Sequence, residues 1–413
     1  MRILTGRAAG AAVLRLSNRG TALTSFEPRV KRIVSDVRKR GDSALRRYAL
    51  RWDGLHTRQP LQVSRTELQK AWQASSSELR KALVQAAKNI RRFCEWQKPK
   101  SWTRSDSGAS LGQIVIPLDS VGCYVPGGRH PLVSTLLMTV IPAQTAGVKN
   151  IRVVSPSPSA EVMAACWMLG VGELFRVGGA QAIAALAYGT QSIPRVDKIV
   201  GPGNVYVTVA KKLVSSDCAI DFVAGPTEAV VLSESGNPGF IAADLVSQAE
   251  HDPETLAVFV TTHRPLAERV VHEISTLVGD NPVARAAMRK RGSILLANSR
   301  QQAREWANLL APEHITIERE DLPHIRNAAS IFVGDYSPQA AGDYASGPNH
   351  VLPTSGQARF RGGLSVLDFV KVVTIQDLSK RGLRKIAETV ECLAELEGLR
   401  AHAESIRVRY LRA

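Results

Sequence analysis

Glutamine, histidine and aspartate side chains lie at helical spacing in one stretch of the sequence and could bind a metal ion. Gln248 and His251 are three residues apart, and Asp244 lies one turn earlier. On a helix that begins near Pro238, these side chains share one face. Pro253 ends the helix and leaves His251 at its exposed C-terminal end. An amide oxygen and an imidazole suit Zn²⁺, which also needs a carboxylate or further imidazole.

Candidates for the missing ligands lie far along the chain. They are Asp343 and His350 in a Gly- and Pro-rich stretch, and His402 on a predicted terminal helix, five residues after Glu397. Taken alone, Gln-x-x-His is also typical of a solvated helix end, and each downstream residue is typical of a polar surface. The spacing of these residues therefore allows two interpretations, a metal site or a set of solvated surface residues.

A second polar cluster, Glu313 and His314, follows a predicted helix that ends at Leu310 and precedes a predicted strand from Ile315. In a turn, both side chains can face one cleft. A carboxylate beside an imidazole could act as general base and general acid near neutral pH. A solvated turn is the alternative interpretation of the same pair.

The surrounding elements indicate an α/β fold. Short β-branched strands alternate with helices in two successive series, which predicts parallel sheets with helices on both faces. We expect two related Rossmann-like domains, residues 120–225 and 226–362, of which the second carries the metal and acid-base residues. Residues 1–119 are predicted to be helical and partly to join the second sheet domain. Residues 363–413 form a predicted helical tail, too thin for its own core, that should pack on another body.

Four turns rich in Gly and Pro, at residues 124–128, 177–181, 201–204 and 224–228, are predicted to lead from strands into helices. Ligands of open parallel sheets bind at such carboxyl ends of strands. Glycine there lets backbone amides approach a phosphate. None of the turns has the standard dinucleotide fingerprint, and tight turns favour glycine for structural reasons too. The turns permit a dinucleotide without requiring one.

Composition is that of a globular protein: 44% of the 413 residues are hydrophobic and 22% are charged. The sequence contains no run of eighteen or more apolar residues, so we predict no membrane span. The five cysteines show no Cys-x-x-Cys spacing, which argues against disulfides and thiolate metal sites. We therefore expect a reducing, cytoplasmic location, and an ordinary helix rather than a targeting peptide at the basic N-terminus.

The formal net charge of +16 raises the possibility of a nucleic-acid partner. The cations are concentrated in residues 29–51 and 80–104, where acids are interleaved with them. No helix-turn-helix, zinc-finger, RNP or KH signature accompanies the charge. We expect attraction of small anionic ligands, such as a dinucleotide pyrophosphate, and no nucleic acid as main partner.

From about residue 25 onward, the chain resembles the histidinol dehydrogenase family. The resemblance is carried by residues 121–128 (Val-Gly-Cys-Tyr-Val-Pro-Gly-Gly), 177–187 (Val-Gly-Gly-Ala-Gln-Ala-Ile-Ala-Ala-Leu-Ala), 198–204 (Lys-Ile-Val-Gly-Pro-Gly-Asn), 224–228 (Ala-Gly-Pro-Thr-Glu), 247–251 (Ser-Gln-Ala-Glu-His), 312–314 (Pro-Glu-His) and 342–354 (Gly-Asp-Tyr-Ala-Ser-Gly-Pro-Asn-His-Val-Leu-Pro-Thr). It implies an NAD-dependent enzyme of histidine biosynthesis with one zinc per subunit. Such an enzyme oxidises L-histidinol through L-histidinal to L-histidine and consumes two NAD⁺. It also implies a homodimer whose tails reach into the partner's sites.

The resemblance further implies roles for individual residues. The implied zinc ligands are Gln248, His251, Asp343 and, from the other subunit, His402. The implied acid-base pair is Glu313 and His314, and the implied NAD contacts are Tyr124, Gln181 and Asn204. The implied substrate contacts are Thr227, where the family often has serine, with His314, His350, Glu397 and the zinc ligands.

Three alternatives make different predictions. A dehydrogenase of the same fold could act on another amino- or hydroxy-alcohol, and would not produce two NADH per L-histidinol. A zinc hydrolase using Glu313 and a metal-bound water would turn over without NAD⁺. A basic nucleic-acid-binding module would bind in a strongly salt-dependent way, independent of His314.

Overall fold

The computed structural model describes residues 1–20, 23–127 and 132–410. Gly128, part of a predicted turn, and Pro131, the predicted start of a helix, lie outside the described residues. Among the described residues, we find no helix with the length and apolarity needed to cross a lipid bilayer.

The N-terminal part is mainly helical, as predicted, but it begins and ends with strands. Its elements are β1 (Arg2–Thr5), α1 (Gly6–Ser17), α2 (Glu27–Arg40), α3 (Asp42–Trp52), α4 (Arg65–Ala74), α5 (Ser77–Gln97), β2 (Trp102–Asp106) and β3 (Ala109–Pro117). The prediction of a helical segment over residues 1–119 was therefore wrong at both ends. The backbone of β1 pairs with a strand almost 300 residues away, from Arg2 opposite Ser293 to Thr5 opposite Leu296, and this long-range pairing outweighs local propensity.

The first parallel sheet follows the predicted alternation of strands and helices. Its elements are β4 (Ser120–Tyr124), α6 (Val133–Ala146), β5 (Asn150–Val154), α7 (Ala160–Met168), β6 (Glu173–Phe175), α8 (Gly179–Tyr188), β7 (Lys198–Val200), α9 (Val205–Val214) and β8 (Ala219–Ile220). Within the described ranges the strand order is β6-β5-β4-β7-β8, all parallel. The order reverses at β4, which creates a ligand crevice at the carboxyl ends of β4 and its neighbours.

The second parallel sheet repeats this design. Its elements are β9 (Glu228–Leu232), α10 (Pro238–Ala249), β10 (Leu256–Thr261), α11 (Arg264–Leu277), α12 (Pro282–Lys290), β11 (Ser293–Leu296), α13 (Arg300–Leu310), β12 (His314–Ile317) and β13 (Ser330–Val333). The order is β1-β11-β10-β9-β12-β13. Without the added edge strand β1, the chain order of the strands matches the first sheet. Every residue of β9 and β10 is buried, as expected for strands covered on both faces. The fold is therefore α/β, with two related Rossmann-like sheets.

The C-terminal part contains helices and one strand that the sequence did not predict. Its elements are α14 (Gln339–Tyr344), β14 (Val370–Leu378), α15 (Lys380–Leu396) and α16 (Arg400–Tyr410). Strand β14 pairs antiparallel with β3, which also pairs with β2. The prediction of a purely helical chain beyond residue 362 was wrong because the β-branched run in β14 finds its partner strand more than 250 residues earlier. Helices α15 and α16 pack on each other.

Candidate active site

Glu313 and His314 lie at the amino end of β12, and both are buried. Helix α13 ends at Leu310 as predicted, and Ala311 then adopts a left-handed conformation with φ of 43°. The strand begins at His314, one residue earlier than predicted, so that only Glu313 belongs to the turn. Despite this, the two side chains stay close: His314 Nδ1 lies 3.8 Å from Glu313 Oε2.

The imidazole of His314 is fixed by its neighbours. Its Nε2 lies 3.5 Å from Asp343 Oδ1, and its ring stacks on Phe332 with ring centroids 5.9 Å apart. Its Nδ1 is buried without a hydrogen-bond partner among the described residues. Because buried polar atoms are normally satisfied, this nitrogen is available to a bound ligand or water.

The surroundings of Glu313 and His314 raise the pKa values of both side chains. Burial raises the pKa of Glu313 to about 8, and the negative charge of Glu228 adds to the effect. Burial opposes protonation of His314, but the charges of Glu313 and Asp343 raise its pKa overall. A carboxyl and an imidazole with pKa values raised in this way can hold and pass on a proton near neutral pH.

Gln248 and Asp343, two predicted zinc ligands, are in contact. Gln248 is buried in α10, and its Nε2 donates to Asp343 Oδ2 over 2.8 Å. Within the Gly- and Pro-rich stretch, Asp343 lies on the short helix α14. One turn before Gln248, Asp244 is engaged elsewhere, because it accepts hydrogen bonds from Thr316 Oγ1 and Gln339 N.

His251 is not on the helix that carries Gln248. Helix α10 starts at Pro238 as predicted but ends at Ala249, so the predicted shared helix face does not include His251. The chain instead makes a tight turn in which the His251 N–H donates to Gln248 O over 3.3 Å. The exposed His251 thus follows directly on the end of α10 and stays beside Gln248.

His350 joins the same group of residues. Its Nδ1 lies 2.6 Å from Asp343 O, and its Nε2 lies 3.5 Å from Thr135 Oγ1 on α6. Burial lowers the pKa of His350, and the nearby charges of His314 and His251 lower it further. His350 therefore favours the neutral form, in which one ring nitrogen can accept a hydrogen bond.

The turn 224–228 places Thr227 beside this group. It connects β8 to β9, so the prediction that it leads from a strand into a helix was wrong. Thr227 O accepts a hydrogen bond from Leu256 N over 2.9 Å, and the next residue, Glu228, donates its N–H to Glu313 Oε2 over 3.1 Å. The chain passes here from one sheet to the other, which brings the site to the amino ends of β9 and β12.

A cavity of about 640 Å³ lies at the carboxyl ends of the first sheet, and Tyr124, Gln181 and Asn204 all line it. Tyr124 Oη accepts a hydrogen bond from Gly179 N over 3.0 Å. Asn204 Oδ1 caps α9 by accepting from the N–H of Tyr206 and Val207. A ligand in the cavity would therefore meet the Asn204 amide nitrogen. The cavity lies at the strand-order reversal, where dinucleotides bind in such sheets.

Two features of this cavity depend on distant parts of the chain. Gln181 Nε2 donates to Asp53 Oδ2 over 3.0 Å, and the same oxygen accepts from Gly178 N. Asp53 was missed because no sequence spacing connects the end of α3 with α8. Gly201 has φ of 115°, and a Cβ there would lie 2.2 Å from Tyr124 O. This turn therefore requires glycine for packing reasons.

A family model for histidinol dehydrogenase matches residues 16–410. The chain belongs to the histidinol dehydrogenase family. It is 47% identical over 393 residues to the histidinol dehydrogenase of Methanothermobacter thermautotrophicus, with 91% of this chain and 92% of that protein covered. It is 43% identical over 404 residues to that of Aquifex aeolicus, with 95% of each covered.

The fold of a known histidinol dehydrogenase agrees with this assignment. The crystal structure of the Elizabethkingia anophelis histidinol dehydrogenase has a TM-score of 0.94 and 33% identity, and covers 99% of this chain and 98% of that chain. The protein is accordingly an oxidoreductase of histidine biosynthesis that oxidises histidinol.

His402 and Glu397 belong to the C-terminal helical part of the chain. Glu397 follows α15 directly and His402 lies on α16, and both are exposed. In the part of the chain that the structure describes, no three His, Cys, Asp or Glu side chains are placed to hold a metal ion together. A single chain thus brings Gln248 and Asp343 into contact, with His251 two residues beyond the end of α10.

Proposed function

We propose that this protein is a zinc- and NAD-dependent enzyme that carries out the four-electron oxidation of L-histidinol through L-histidinal to L-histidine. The observation that carries the proposal is the contact of Asp343 with both Gln248 and His314. This contact places two candidate metal ligands directly beside the buried acid-base pair.

The donor set fits a zinc ion. Gln248 and Asp343 offer oxygen atoms and His251 offers an imidazole nitrogen, which are donors that Zn²⁺ accepts. We assign the remaining position to His402 of the partner subunit, since one chain does not complete the set. When bound, zinc would hold the amino and imidazole nitrogens of the substrate and so orient its alcohol carbon.

The acid-base pair would handle the protons of both steps. His314 takes the alcohol proton in the first oxidation, since its Nδ1 has no partner among the described residues. Glu313 takes a proton from the water that adds to the aldehyde in the second oxidation. NAD⁺, which supplies the hydride acceptor in both steps, would bind in the cavity lined by Tyr124, Gln181 and Asn204. Thr227, His350 and Glu397 are the proposed further contacts to the substrate.

A homodimer with shared sites is part of the proposal. The antiparallel sheet and the tail expose large apolar side chains that a monomer would normally bury: Trp102, Leu111, Ile114, Ile116, Val372, Val373, Ile386, Leu393, Leu396 and Leu399. Leu396 and Leu399 flank Glu397 in the sequence and lie six and three residues, respectively, before His402. A second copy that covers this surface would receive Glu397 and His402 at its own site.

The cellular compartment is a further part of the proposal. All five cysteines are free, and four of them are buried. Free thiols fit a reducing compartment, and we propose the cytoplasm.

A stoichiometric assay tests the proposed reaction. Purified enzyme with limiting L-histidinol and excess NAD⁺ should form two NADH for each L-histidine, measured by absorbance and by amino-acid analysis. Chelation should remove the activity and added Zn²⁺ should restore it. One NADH per L-histidinol, or full turnover in metal-free enzyme, would refute the proposal.

A further inference from the structure

Arg19, just after α1, forms a buried ion pair with Glu228, the first residue of β9. Arg19 Nε lies 2.5 Å from Glu228 Oε1, and Arg19 Nη2 lies 2.5 Å from Oε2. The side chains are only 7% and 4% exposed, respectively. Two parallel hydrogen bonds between a guanidinium and a carboxylate fix the mutual orientation of the partners. The pair thus joins the N-terminal segment rigidly to the second sheet.

Both partners also contact the turn that carries Glu313. The backbone N–H of Glu228 donates to Glu313 Oε2 over 3.1 Å. Arg19 Nη2 donates to Ala311 O over 3.3 Å. Ala311 is a non-glycine residue with φ of 43°, a conformation that L-residues adopt only when the surroundings hold it. The ion pair therefore contacts the Glu313 turn at its strained residue and at the Glu313 carboxylate itself.

Glu228 is tied to a third segment of the site. Its Oε1 accepts a hydrogen bond from Ser355 N over 2.7 Å, and the neighbouring Thr354 Oγ1 accepts one from Gly225 N. These contacts hold the Glu228 side chain at the first residue of β9, whose N–H meets Glu313. A change in the Glu228 side chain would thus be transmitted to the Glu313 carboxylate.

We propose that Arg19 and Glu228 are positioning residues that hold the Glu313 carboxylate where it can take a proton from water. Their side chains bond to each other and to the backbone at Ala311 and Ser355. The inference rests on the proposed role of Glu313 in the aldehyde-oxidising half of the reaction. A misplaced Glu313 should slow that half selectively, because the alcohol–aldehyde interconversion uses His314 and needs no added water.

L-Histidinal can be used to measure the two half-reactions separately, because it can be either oxidised or reduced. L-Histidinal with water and NAD⁺ gives L-histidine, NADH and protons, and requires activated water. L-Histidinal with NADH and a proton gives L-histidinol and NAD⁺, and requires no water. The ratio of the kcat values for oxidation and reduction therefore reports on water activation, while a general loss of folded enzyme lowers both values alike.

Arg19→Met should lower the kcat for oxidation by about tenfold to hundredfold, the effect of displacing a reacting group by about 1 Å. Its KM for L-histidinal and its kcat for reduction should stay close to wild type. Arg19→Lys keeps the charge but not the two-pronged geometry, so it should recover part of the lost oxidation rate. Arg7→Met and Arg7→Lys, at an exposed position on α1, are the matched controls and should behave as wild type.

Removing Arg19 leaves the buried Glu228 charge without its partner, which can prevent folding. The double variant Arg19→Met/Glu228→Met removes both charges and keeps the N–H that meets Glu313. It should show the same selective loss of oxidation. The zinc content and the midpoint of thermal unfolding, measured on every variant, show which variants are folded and contain zinc.

Glu313→Gln is the reference variant that distinguishes the role of Glu313 itself from the positioning role of Arg19 and Glu228. If Glu313→Gln slows oxidation and reduction equally, the proposed role of Glu313 is wrong. If Glu313→Gln is selective for oxidation while folded Arg19 variants slow both directions equally, or neither, the positioning role is wrong. Selective loss in both sets supports the inference.

Discussion

Gln248 Nε2 lies 2.8 Å from Asp343 Oδ2, across 95 residues of sequence. This hydrogen bond joins the last turn of α10 to the short helix α14, and His251 follows on the end of α10. It places an amide and a carboxylate in contact, beside the imidazole of His314. The arrangement makes the metal assignment testable one ligand at a time.

Asp343→Asn should weaken zinc binding by more than about tenfold. Loss of a residue that only supports a metal ligand already has an effect of about this size, and loss of a ligand should have a larger one. The substitution removes the negative charge that attracts the cation while keeping the size of the side chain. Zinc retained after dialysis, measured by mass spectrometry, provides the readout. Asp335→Asn changes an exposed aspartate in the same region and should retain zinc. Wild-type zinc content in folded Asp343→Asn would remove Asp343 from the ligand set.

Mixed dimers test the shared site. His402→Ala alters the donated tail and Asp343→Asn alters the receiving site, and each homodimer should be nearly inactive. After equal subunit exchange, half of the dimers carry both chains, and in these one of two sites has all its residues. Activity should therefore return to about a quarter of wild type. A mixture that stays inactive after proven exchange would place all site residues in one chain.

Local patterns predicted the two parallel sheets because each strand and helix carries its own signal. The burial of β9 and the end of α13 at Leu310 both follow from short runs of sequence. The strand β14 was missed because its register, with Val370 opposite Pro117, is set by a partner distant in the chain. A β-branched run inside a charged tail does not reveal such a partner.

The candidate site residues were found through residue types, spacing and motif resemblance, whereas their supports were not. Asp53 acts on Gln181 across 128 residues, and Arg19 acts on Glu228 across 209 residues. Nothing in their spacing connects them. Such supporting contacts are made by folding and become visible only in three dimensions.

Asp53→Ala should weaken NAD⁺ binding while the chemistry continues. The Asp53 carboxylate accepts from Gly178 N and Gln181 Nε2, and each donor left unsatisfied costs about 1–3 kcal/mol. We expect the KM for NAD⁺ to rise about tenfold, equivalent to about 1.4 kcal/mol, with a smaller change in kcat. Asp53→Asn retains an accepting oxygen and should lie closer to wild type.

The control for Asp53 is Asp119→Ala, which removes an exposed carboxyl just before β4. It should leave the KM for NAD⁺ and the thermal midpoint unchanged. A normal KM for NAD⁺ in folded Asp53→Ala would show that Gln181 keeps its position without this support, or that it does not contact the cofactor.

The oxidation of L-histidinal should depend on pH through Glu313. Burial raises the pKa of Glu313 to about 8, so that the carboxyl is mostly protonated at neutral pH and loses its proton as the pH rises. Only the deprotonated form can take a proton from water, and the ratio of oxidation to reduction of L-histidinal should therefore increase between about pH 7 and about pH 9. His314 donates the proton in the reduction, so its own titration also makes this ratio rise with pH. Glu313→Gln, which has no carboxyl to titrate, measures that part: its ratio should be low and should rise less steeply with pH than the wild-type ratio. Equal slopes for wild type and Glu313→Gln would contradict the assignment of Glu313 as the base.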